Sequence, residues 1–312
     1  MTAFAFVFPG QGSQAVGMLN AWEGHAAVRD TLAEASDALG EDIGKLIAEG
    51  PKETLDLTTN TQPVMLTAGV ACWRAWQAET GLVPAVVAGH SLGEYSALVA
   101  AGALTLKDAL PLVRFRAQAM QEAVPVGVGG MAAILGLDAE AVKVGCAEAS
   151  AAVGEPVEAV NFNDPKQTVI AGTKAAVEKA CEVLKAAGAK RALSLPVSAP
   201  FHSSLMKPAA ERLKDKLAAT PFAVPAISVL NNIDVAVVTE ADALRDALYR
   251  QAFGPVRWVE TIQALKARGL THVIECGPGK VLAGMVKRID GDLVTTTIFD
   301  PASLAEAKGL LA

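Results

Sequence analysis

Gly89-His90-Ser91-Leu92-Gly93 is a G-x-S-x-G pentapeptide that lies between two segments of different hydrophobic pattern. The apolar run at 84–88 predicts a buried strand before it, and residues 94–101 predict a helix after it. This is the context of a nucleophile elbow, in which the chain turns sharply and leaves the serine hydroxyl exposed at the strand end. The flanking glycines allow that turn without a Cβ clash. The pattern favours Ser91 as a nucleophile over the alternative that it only caps the helix.

A serine nucleophile needs donors for the oxyanion that forms when it attacks a carbonyl group. The backbone N–H of Leu92 lies at the N-terminus of the predicted helix, where it can donate to the same point in space. A second donor is expected from the loop FPGQGSQ at 8–14, and we assign it to the backbone N–H of Gln11. The alternative for this loop is a plain connector between a strand and a helix.

A base for Ser91 must come from one of the four histidines, which are His25, His90, His202 and His272. His90 adjoins Ser91, but neighbouring side chains of an extended strand point to opposite faces, so we expect it to pack or to support the site. His25 is expected at the surface, and His272 begins an apolar strand. His202 lies in an irregular segment before a predicted helix, a setting typical of catalytic bases. Helix capping or packing is the alternative for His202.

Two arginines, Arg114 and Arg116, occur in an apolar helix predicted at 106–123. An arginine in such a helix can extend its head group to the surface. It can also bind a substrate carboxylate through two parallel hydrogen bonds, which suit its planar guanidinium better than a lysine. The helical pattern leaves both interpretations open.

Composition narrows the class of protein. With 312 residues, of which 52% are hydrophobic, the chain can bury a large core in one domain or in a large domain with a smaller insert. A net charge of −6 argues against general nucleic-acid binding. The four cysteines are far apart in sequence, which favours reduced thiols over disulfides or a metal site. The N-terminus resembles a strand rather than a signal peptide, and no apolar run could span a bilayer, so we expect a soluble, cytoplasmic protein without a bound metal.

Short apolar runs at 3–8, 84–88, 227–230, 271–274 and 294–298 alternate with longer helical patterns, which include 61–79, 106–123 and 203–219. Continuous apolar runs are typical of parallel strands whose two faces are covered by helices. We therefore predict an α/β fold with a large, α/β-hydrolase-like domain around a mostly parallel sheet. Residues 1–126 and 197–312 are predicted to form this domain.

Residues 127–196 follow a different pattern. Strands are predicted at 131–137, 157–161, 167–171 and 191–196, with helices at 138–151 and 174–187. The resulting order β-α-β-β-α-β is that of the ferredoxin-like split unit. Glycines at 127–130 and prolines at 196–200 are expected to connect this unit to the rest of the chain. We therefore predict a small inserted domain of ferredoxin-like fold.

Several motifs occur together and in a fixed order: GQGSQ at 10–14, TQP at 61–63, GHSLGEYSAL at 89–98, NFNDPKQTVIAG at 161–172, SAPFHSSLM at 198–206 and ECGPGKVL at 275–282. In this combination the chain resembles the malonyl-CoA:acyl carrier protein transacylases, and more distantly the acyltransferase domains of fatty-acid and polyketide synthases. The resemblance runs over nearly the whole chain. It implies an enzyme that moves a malonyl group from malonyl-CoA to the phosphopantetheine thiol of acyl carrier protein, in fatty-acid or polyketide synthesis.

The resemblance also implies roles for individual residues. Ser91 would carry the acyl group and His202 would be its base. The main-chain carbonyl of Gln251 would orient His202, and Arg116 would bind the malonyl carboxylate. The remaining implied site residues are Gln11 and Leu92 for the oxyanion, and Asn161 and Asn163 as amides of the small domain that face the cleft.

The same resemblance implies that no cofactor is bound, since the CoA thioester is a substrate and the phosphopantetheine belongs to the carrier. We expect a monomer whose partners are malonyl-CoA and acyl carrier protein, and neither nucleic acid nor a membrane.

Two alternatives belong to other functional classes. A serine esterase of the α/β-hydrolase type needs an acid between the serine and the histidine in sequence, which Asp108, Asp138 or Asp164 could supply. This alternative leaves Gln11 and Arg116 unexplained. A carrier-protein-binding module with an inactive site is the second alternative, and the intact Ser91 and His202 argue against it.

Overall fold

The computed structural model describes residues 3–197 and 199–311, so Met1, Thr2, Ser198 and Ala312 lie outside the described residues. The strands are β1 (Phe4–Phe8), β2 (Val86–Gly89), β3 (Gly129–Leu135), β4 (Val157–Asp164), β5 (Gln167–Thr173), β6 (Arg191–Ser194), β7 (Ser228–Leu230), β8 (His272–Cys276) and β9 (Val294–Ile298). The helices are α1 (Ala26–Leu39), α2 (Ile43–Glu49), α3 (Lys52–Leu55), α4 (Thr58–Thr80), α5 (Gly93–Ala100), α6 (Leu106–Glu122), α7 (Ala139–Val153), α8 (Lys174–Ala186), α9 (Lys207–Ala219), α10 (Ala241–Ala252), α11 (Trp258–Ala267), α12 (Val281–Ile289) and α13 (Pro301–Leu311). None of these described helices has both the length and the apolar character that crossing a membrane requires.

The larger sheet has the order β7-β2-β1-β8-β9 in the described chain, and each of these pairings is parallel. The predicted α/β class with a mostly parallel sheet is therefore confirmed. The central strand β1 is buried along its whole length, as expected when helices cover both faces of a parallel sheet. On one face, Phe6 packs edge-on against Trp73 and Trp76 of α4, with ring centroids 5.7 and 5.4 Å apart. On the other face, Ala5 and Val7 pack in the cluster that contains Trp258.

One predicted helix begins later than expected. The pattern predicted a helix from residue 203, but Ser204–Met206 form a 3-10 turn and α9 begins at Lys207. Pro208 lies in the first turn of α9, where a missing backbone N–H leaves no hydrogen bond unmade. The late start keeps the segment around His202 irregular, which matters for the site described below.

The smaller sheet is antiparallel and has the order β4-β5-β3-β6. Its elements follow one another as strand, helix, strand, strand, helix and strand, in the order predicted from the sequence. Alternate residues of a strand face opposite sides of a sheet. Ala132 and Ile134 of β3 pack in the core beneath α7 and α8, whereas Met131 and Ala133 line a cavity on the other face. The smaller sheet therefore presents one face to the larger unit.

Strand β4 attaches the smaller sheet to the larger unit along much of its length. The backbone N–H of Val256 donates to Val160 O at 2.8 Å, and that of Phe162 donates to Val256 O at 3.0 Å. Near the end of β4, Arg288 Nε donates to Asp164 Oδ2 at 2.7 Å. These contacts hold the inner face of the smaller sheet opposite the carboxyl ends of β1 and β2.

Candidate active site

Ser91 lies in a strained turn between β2 and α5. Its φ of +52° is in the left-handed region, which costs a non-glycine residue on the order of 1 kcal/mol or more. A Cβ on Gly89 would lie 1.9 Å from the carbonyl carbon of Gly93, and a Cβ on Gly93 would lie 2.0 Å from Phe8 O. Only glycine fits at either position, so the two glycines of the pentapeptide allow the turn that holds Ser91 at the carboxyl end of the larger sheet.

His202 is the histidine that meets the Ser91 hydroxyl. Its Nε2 lies 2.6 Å from Ser91 Oγ, although 111 residues separate the two in sequence. On the other side of the ring, Nδ1 lies 2.9 Å from Gln251 O and 3.2 Å from Gly254 O. Because carbonyl oxygens only accept hydrogen bonds, Nδ1 carries the proton and donates to them. Nε2 then presents its lone pair to the serine hydroxyl, which is the arrangement that a general base requires.

The electrostatic surroundings keep His202 uncharged. Burial lowers the pKa of its imidazole to about 3, and the positive charge of Arg116 contributes in the same direction. The ring is therefore neutral at neutral pH and free to accept a proton. The φ of His202 is +65°, so both members of the Ser91–His202 pair have backbone conformations that side chains other than glycine rarely adopt.

The other three histidines lie away from the hydroxyl. His90 Nε2 lies 2.8 Å from Asn163 Oδ1, and its ring packs edge-on against Trp258, in agreement with the supporting role expected for it. His90 follows the last residue of β2 and is not itself in the strand, so the turn rather than strand alternation directs it away from Ser91 Oγ. The expectation that His25 is a surface residue was wrong: it is half-buried against Trp22. His272 is the first residue of β8.

Arg116 reaches the same point from α6. Its side chain is buried, and Nη1 donates to Gln62 Oε1 at 2.6 Å while Nη2 donates to Gln251 Oε1 at 3.0 Å. Nη2 also lies 3.3 Å from Ser91 Oγ. Within the described residues no carboxylate forms an ion pair with this guanidinium, and its buried Nε has no hydrogen-bond partner there. Arg116 is thus a buried cation beside the Ser91 hydroxyl, and its Nε has no hydrogen-bond partner among the described residues.

Arg114 differs from Arg116 although only one residue separates them. Its guanidinium donates to both carboxylate oxygens of Glu41, at 3.0 and 2.8 Å, near the surface. The two open interpretations of the sequence therefore apply to different residues: Arg114 extends to the surface, and Arg116 points into the site.

The two residues predicted to supply the oxyanion donors, Gln11 and Leu92, both line the cavity that contains Ser91. Leu92 is the residue immediately before α5. A Cβ on Gly10 would lie 2.5 Å from His90 O, so the loop that carries Gln11 passes directly against the nucleophile turn. The Gln11 side chain turns aside and donates to Thr58 Oγ1 at 3.3 Å.

The cavity in front of Ser91 has a volume of about 720 Å³ and is lined by both parts of the structure. Asn161, Asn163 and Met131 come from the smaller sheet, whereas Met120 and Met285 come from helices of the larger unit. Asn163 lies in the wall but directs its amide oxygen to His90 rather than into open space. A space of this size and mixed polarity can hold a small acyl group together with the arm that carries it.

None of the three aspartates considered as a third catalytic member contacts His202. Asp108 accepts from Thr105 Oγ1 at 2.6 Å, Asp138 caps the start of α7, and Asp164 pairs with Arg288. Because main-chain carbonyls accept from His202 Nδ1, a carboxylate has no role there. Among the described residues, no group of three or more His, Cys, Asp or Glu side chains is arranged to hold a metal ion.

Three side chains of the site were not assigned from the sequence. Gln62 of α4 and Glu94 of α5 lie in the motifs TQP and GHSLGEYSAL, but no role was inferred for them. Asn232 follows β7, and its Oδ1 accepts from the backbone N–H of Ser91 at 2.7 Å. The sequence contains one indication that Asn232 lies near Ser91. Both residues follow apolar strands, and parallel strands end at the same edge of a sheet.

Comparison with known proteins agrees with this geometry. The acyl transferase domain family matches residues 5–291. The chain belongs to this family and is an acyltransferase. A malonyl CoA-acyl carrier protein transacylase from Salmonella typhimurium is 53% identical over 308 residues, which cover 98% of this chain and 99% of that protein. The protein of the same name from Bacillus subtilis is 47% identical over 305 residues, which cover 97% and 96%.

Solved structures of related enzymes superpose closely on this chain. An acyl-carrier-protein S-malonyltransferase from Burkholderia pseudomallei superposes with a TM-score of 0.96 at 70% identity, over 98% of this chain and 99% of that one. A malonyl-transacylase solved in complex with its type II PKS acyl-carrier protein gives a TM-score of 0.96 at 50% identity, over 98% and 99%. The resemblance that the sequence motifs indicated is therefore confirmed.

Proposed function

We propose that this chain transfers a malonyl group from malonyl-CoA to the phosphopantetheine thiol of acyl carrier protein, and so supplies fatty-acid or polyketide synthesis. The observation that carries the proposal is a buried guanidinium, free of any acidic partner in the described chain, 3.3 Å from the nucleophilic hydroxyl. Relatives named as malonyl CoA-acyl carrier protein transacylases and the structure of one with its carrier protein support the choice of substrate and partner.

The first half-reaction forms a malonyl ester on Ser91. His202 Nε2 removes the proton from Ser91 Oγ as the oxygen attacks the thioester carbonyl carbon of malonyl-CoA. The negative charge that develops on the carbonyl oxygen is stabilised by the backbone N–H groups of Gln11 and Leu92. The bond between carbon and sulfur then breaks, His202 gives its proton to the leaving sulfur, and CoA departs as a thiol.

The second half-reaction uses the same groups in reverse. The phosphopantetheine thiol of the carrier enters in place of CoA, and His202 takes its proton while the sulfur attacks the ester carbonyl of malonyl-Ser91. When the ester bond breaks, the proton returns to Ser91 Oγ and malonyl-carrier leaves. Two half-reactions through one ester give ping-pong kinetics, with each acceptor using the same Ser91–His202 pair.

The Ser91–His202 pair needs no acidic third member in this scheme. The carbonyl oxygens of Gln251 and Gly254 accept from Nδ1, which fixes both the tautomer and the ring orientation. Arg116 determines the acyl group, because a carboxylate of the substrate would supply the partner that its Nε lacks. An acyl group without a carboxylate, such as acetyl, leaves that buried donor unpaired.

We also propose a fold for each of the two parts of the chain. The described residues of 1–126 and 197–312 form an α/β-hydrolase-like domain, and residues 127–196 form an inserted ferredoxin-like domain. The element order and the antiparallel sheet β4-β5-β3-β6 support the second assignment. The enzyme acts as a cytoplasmic monomer and binds no cofactor, metal, nucleic acid or membrane.

Intact-protein mass spectrometry tests the acyl-enzyme directly. Incubation with malonyl-CoA should add one malonyl group to the wild type and none to Ser91→Ala. Ser13→Ala is the matched control, because Ser13 also lines the cavity and should not alter labelling. Labelling of Ser91→Ala would contradict the assignment of the nucleophile. Loss of malonyl-CoA to water at equal rates with and without carrier protein would indicate an esterase instead.

A further inference from the structure

Glu94 is a buried carboxylate next to the nucleophile that the mechanism above does not use. It lies in the first turn of α5, is 2% exposed, and forms no ion pair in the described chain. Its Oε2 accepts from Gln251 Nε2 at 2.9 Å and from the backbone N–H of Asn232 at 3.0 Å. A buried carboxylate without a cationic contact is costly, so it is retained where its hydrogen bonds serve a purpose.

The side-chain amide of Gln251 connects Glu94 to Arg116. Gln251 Oε1 accepts from Arg116 Nη2 at 3.0 Å, and Gln251 Nε2 donates to Glu94 Oε2 and, at 3.0 Å, to Ser91 O. A guanidinium only donates and a carboxylate only accepts. The amide can therefore adopt one orientation, with its oxygen toward Arg116 and its nitrogen toward Glu94. Glu94 and Ser91 O thus hold the amide nitrogen away from Arg116, which therefore meets the amide oxygen.

Asn232 connects Glu94 to the nucleophile turn. Its main chain donates to Glu94, its Oδ1 accepts from Ser91 N at 2.7 Å, and its Nδ2 donates to Gly89 O at 2.6 Å. These two side-chain bonds join both sides of the strained turn. One carboxylate oxygen therefore holds two residues, one of which positions Arg116 and the other the main chain of Ser91.

We propose that Glu94 is a positioning residue for acyl selectivity, which acts on the Arg116 guanidinium through the Gln251 side chain and on the Ser91 turn through Asn232. This inference rests on the proposed function, since it assigns the orientation of the group that binds the acyl carboxylate. Burial raises the pKa of Glu94 to about 7, and the hydrogen bonds from Gln251 and Asn232 together with the charge of Arg116 oppose that rise. Both groups that reach Oε2 are N–H donors, so this oxygen is an acceptor whether or not the other carboxyl oxygen carries a proton.

The test compares kcat/KM for malonyl-CoA and acetyl-CoA in the full-length enzyme. Glu94→Leu removes the acceptor and should lower the malonyl-to-acetyl ratio about tenfold, as expected when a hydrogen bond to a charged group loses its support. Glu94→Gln keeps an oxygen at the same point and should restore most of the ratio. A purely structural role would lower both rates together and leave the ratio unchanged, which would overturn the proposal.

A double-mutant cycle tests whether Glu94 affects acyl selectivity through Arg116. In an Arg116→Ala background, Glu94→Leu should no longer change the ratio, because the group through which it acts is absent. An equal drop in both backgrounds would overturn the proposal. If Glu94→Leu does not fold, Gln251→Met breaks the same connection while keeping the main-chain carbonyl that orients His202. Gln251→Met should give the same drop in the ratio, and an unchanged ratio would again refute the proposal.

A second buried carboxylate provides the matched control. Glu275 lies at the carboxyl end of β8, and its Oε2 accepts from the backbone N–H of Ala283 in the first turn of α12. Glu275→Leu should lower the unfolding temperature without changing the ratio. Failure of the proposed function would appear separately, as an unlabelled wild type or as an Arg116→Ala variant with an unchanged ratio.

Discussion

Replacement of Arg116 by alanine separates a malonyl-specific transferase from a general serine acyl-enzyme. The side chain is 2% exposed, and its Nη1 and Nη2 donate to Gln62 and Gln251. Nη2 also lies 3.3 Å from Ser91 Oγ, and Nε has no hydrogen-bond partner among the described residues. A carboxylate bound there gains two charge-assisted bonds of about 1.5 kcal/mol each or more. Their loss amounts to about 3 kcal/mol, so kcat/KM for malonyl-CoA should fall about a hundredfold.

Acetyl-CoA provides the internal reference. Because acetyl has no carboxylate, Arg116→Ala should reduce its kcat/KM far less, and removal of an unpaired buried charge can raise it. The measurement is the malonyl-to-acetyl ratio of kcat/KM, determined by single-turnover labelling of Ser91. Arg116→Lys should restore only part of the ratio, because it keeps the charge but lacks the planar pair of donors.

Arg114→Ala is the matched control for this experiment. Arg114 lies on the same helix, but it pairs with Glu41 at the surface, so its removal should leave the ratio unchanged. Arg116→Ala also leaves the amide oxygens of Gln62 and Gln251 without a donor, which should lower the stability of the fold. Thermal unfolding of each variant therefore distinguishes a loss of selectivity from a loss of structure. An unchanged ratio in a folded Arg116→Ala enzyme would show that Arg116 does not contact the acyl group.

Three further predictions concern the nucleophile, the base and pH. His202→Ala should slow both half-reactions by about two to four orders of magnitude in stopped-flow assays, and His90→Ala should cost less; the opposite ranking would mean that the base is misassigned. Gly93→Ala should abolish labelling of Ser91 and lower the unfolding temperature, since its Cβ would lie 2.0 Å from Phe8 O, and a fully active variant would disprove the need for glycine. The pKa of His202 falls from 6.5 to about 3 on folding. As pH drops below 6.5, His202 is therefore protonated in the unfolded chain but not in the folded chain, which lowers the free energy of unfolding. In denaturant titrations, the free energy of unfolding of the wild type should fall by about 2 kcal/mol between pH 7 and pH 5, and this fall should be absent in His202→Ala. Equal losses in both proteins would argue against a depressed pKa of His202.

The parallel sheet and the nucleophile turn could be predicted from the sequence because their signals are local. A run such as FAFVF at Phe4–Phe8 is apolar at every position, which is what burial on both faces requires. The glycines of the pentapeptide occupy positions where any Cβ would clash, so the motif alone indicates a sharp turn at Ser91. The start of α9 was predicted too early, because helical periodicity continues across a 3-10 turn and only Pro208 indicates the true beginning.

The partners of the site were harder to predict because they depend on contacts across the chain. The roles of His202, Arg116 and Gln251 came from a resemblance, since periodicity alone could not distinguish Arg116 from Arg114 on one helix. Glu94 and Asn232 received no role, because a glutamate in an apolar helix and an asparagine after a strand each have common structural explanations. Their roles depend on a contact between positions 138 residues apart.

Gln251 contacts both His202 and Arg116, which lie far apart in the sequence. Its main-chain oxygen accepts from His202 Nδ1 at 2.9 Å, and its side-chain oxygen accepts from Arg116 Nη2 at 3.0 Å. His202 and Arg116 are therefore held by the same residue, whose backbone lies in the last turn of α10. A displacement of this turn would change the direction of the His202 ring and of the Arg116 guanidinium together. Substitutions of the Gln251 side chain remove its bonds to Arg116, Glu94 and Ser91 O, but they keep the main-chain oxygen that accepts from His202. We therefore expect them to alter acyl selectivity more than proton transfer at Ser91.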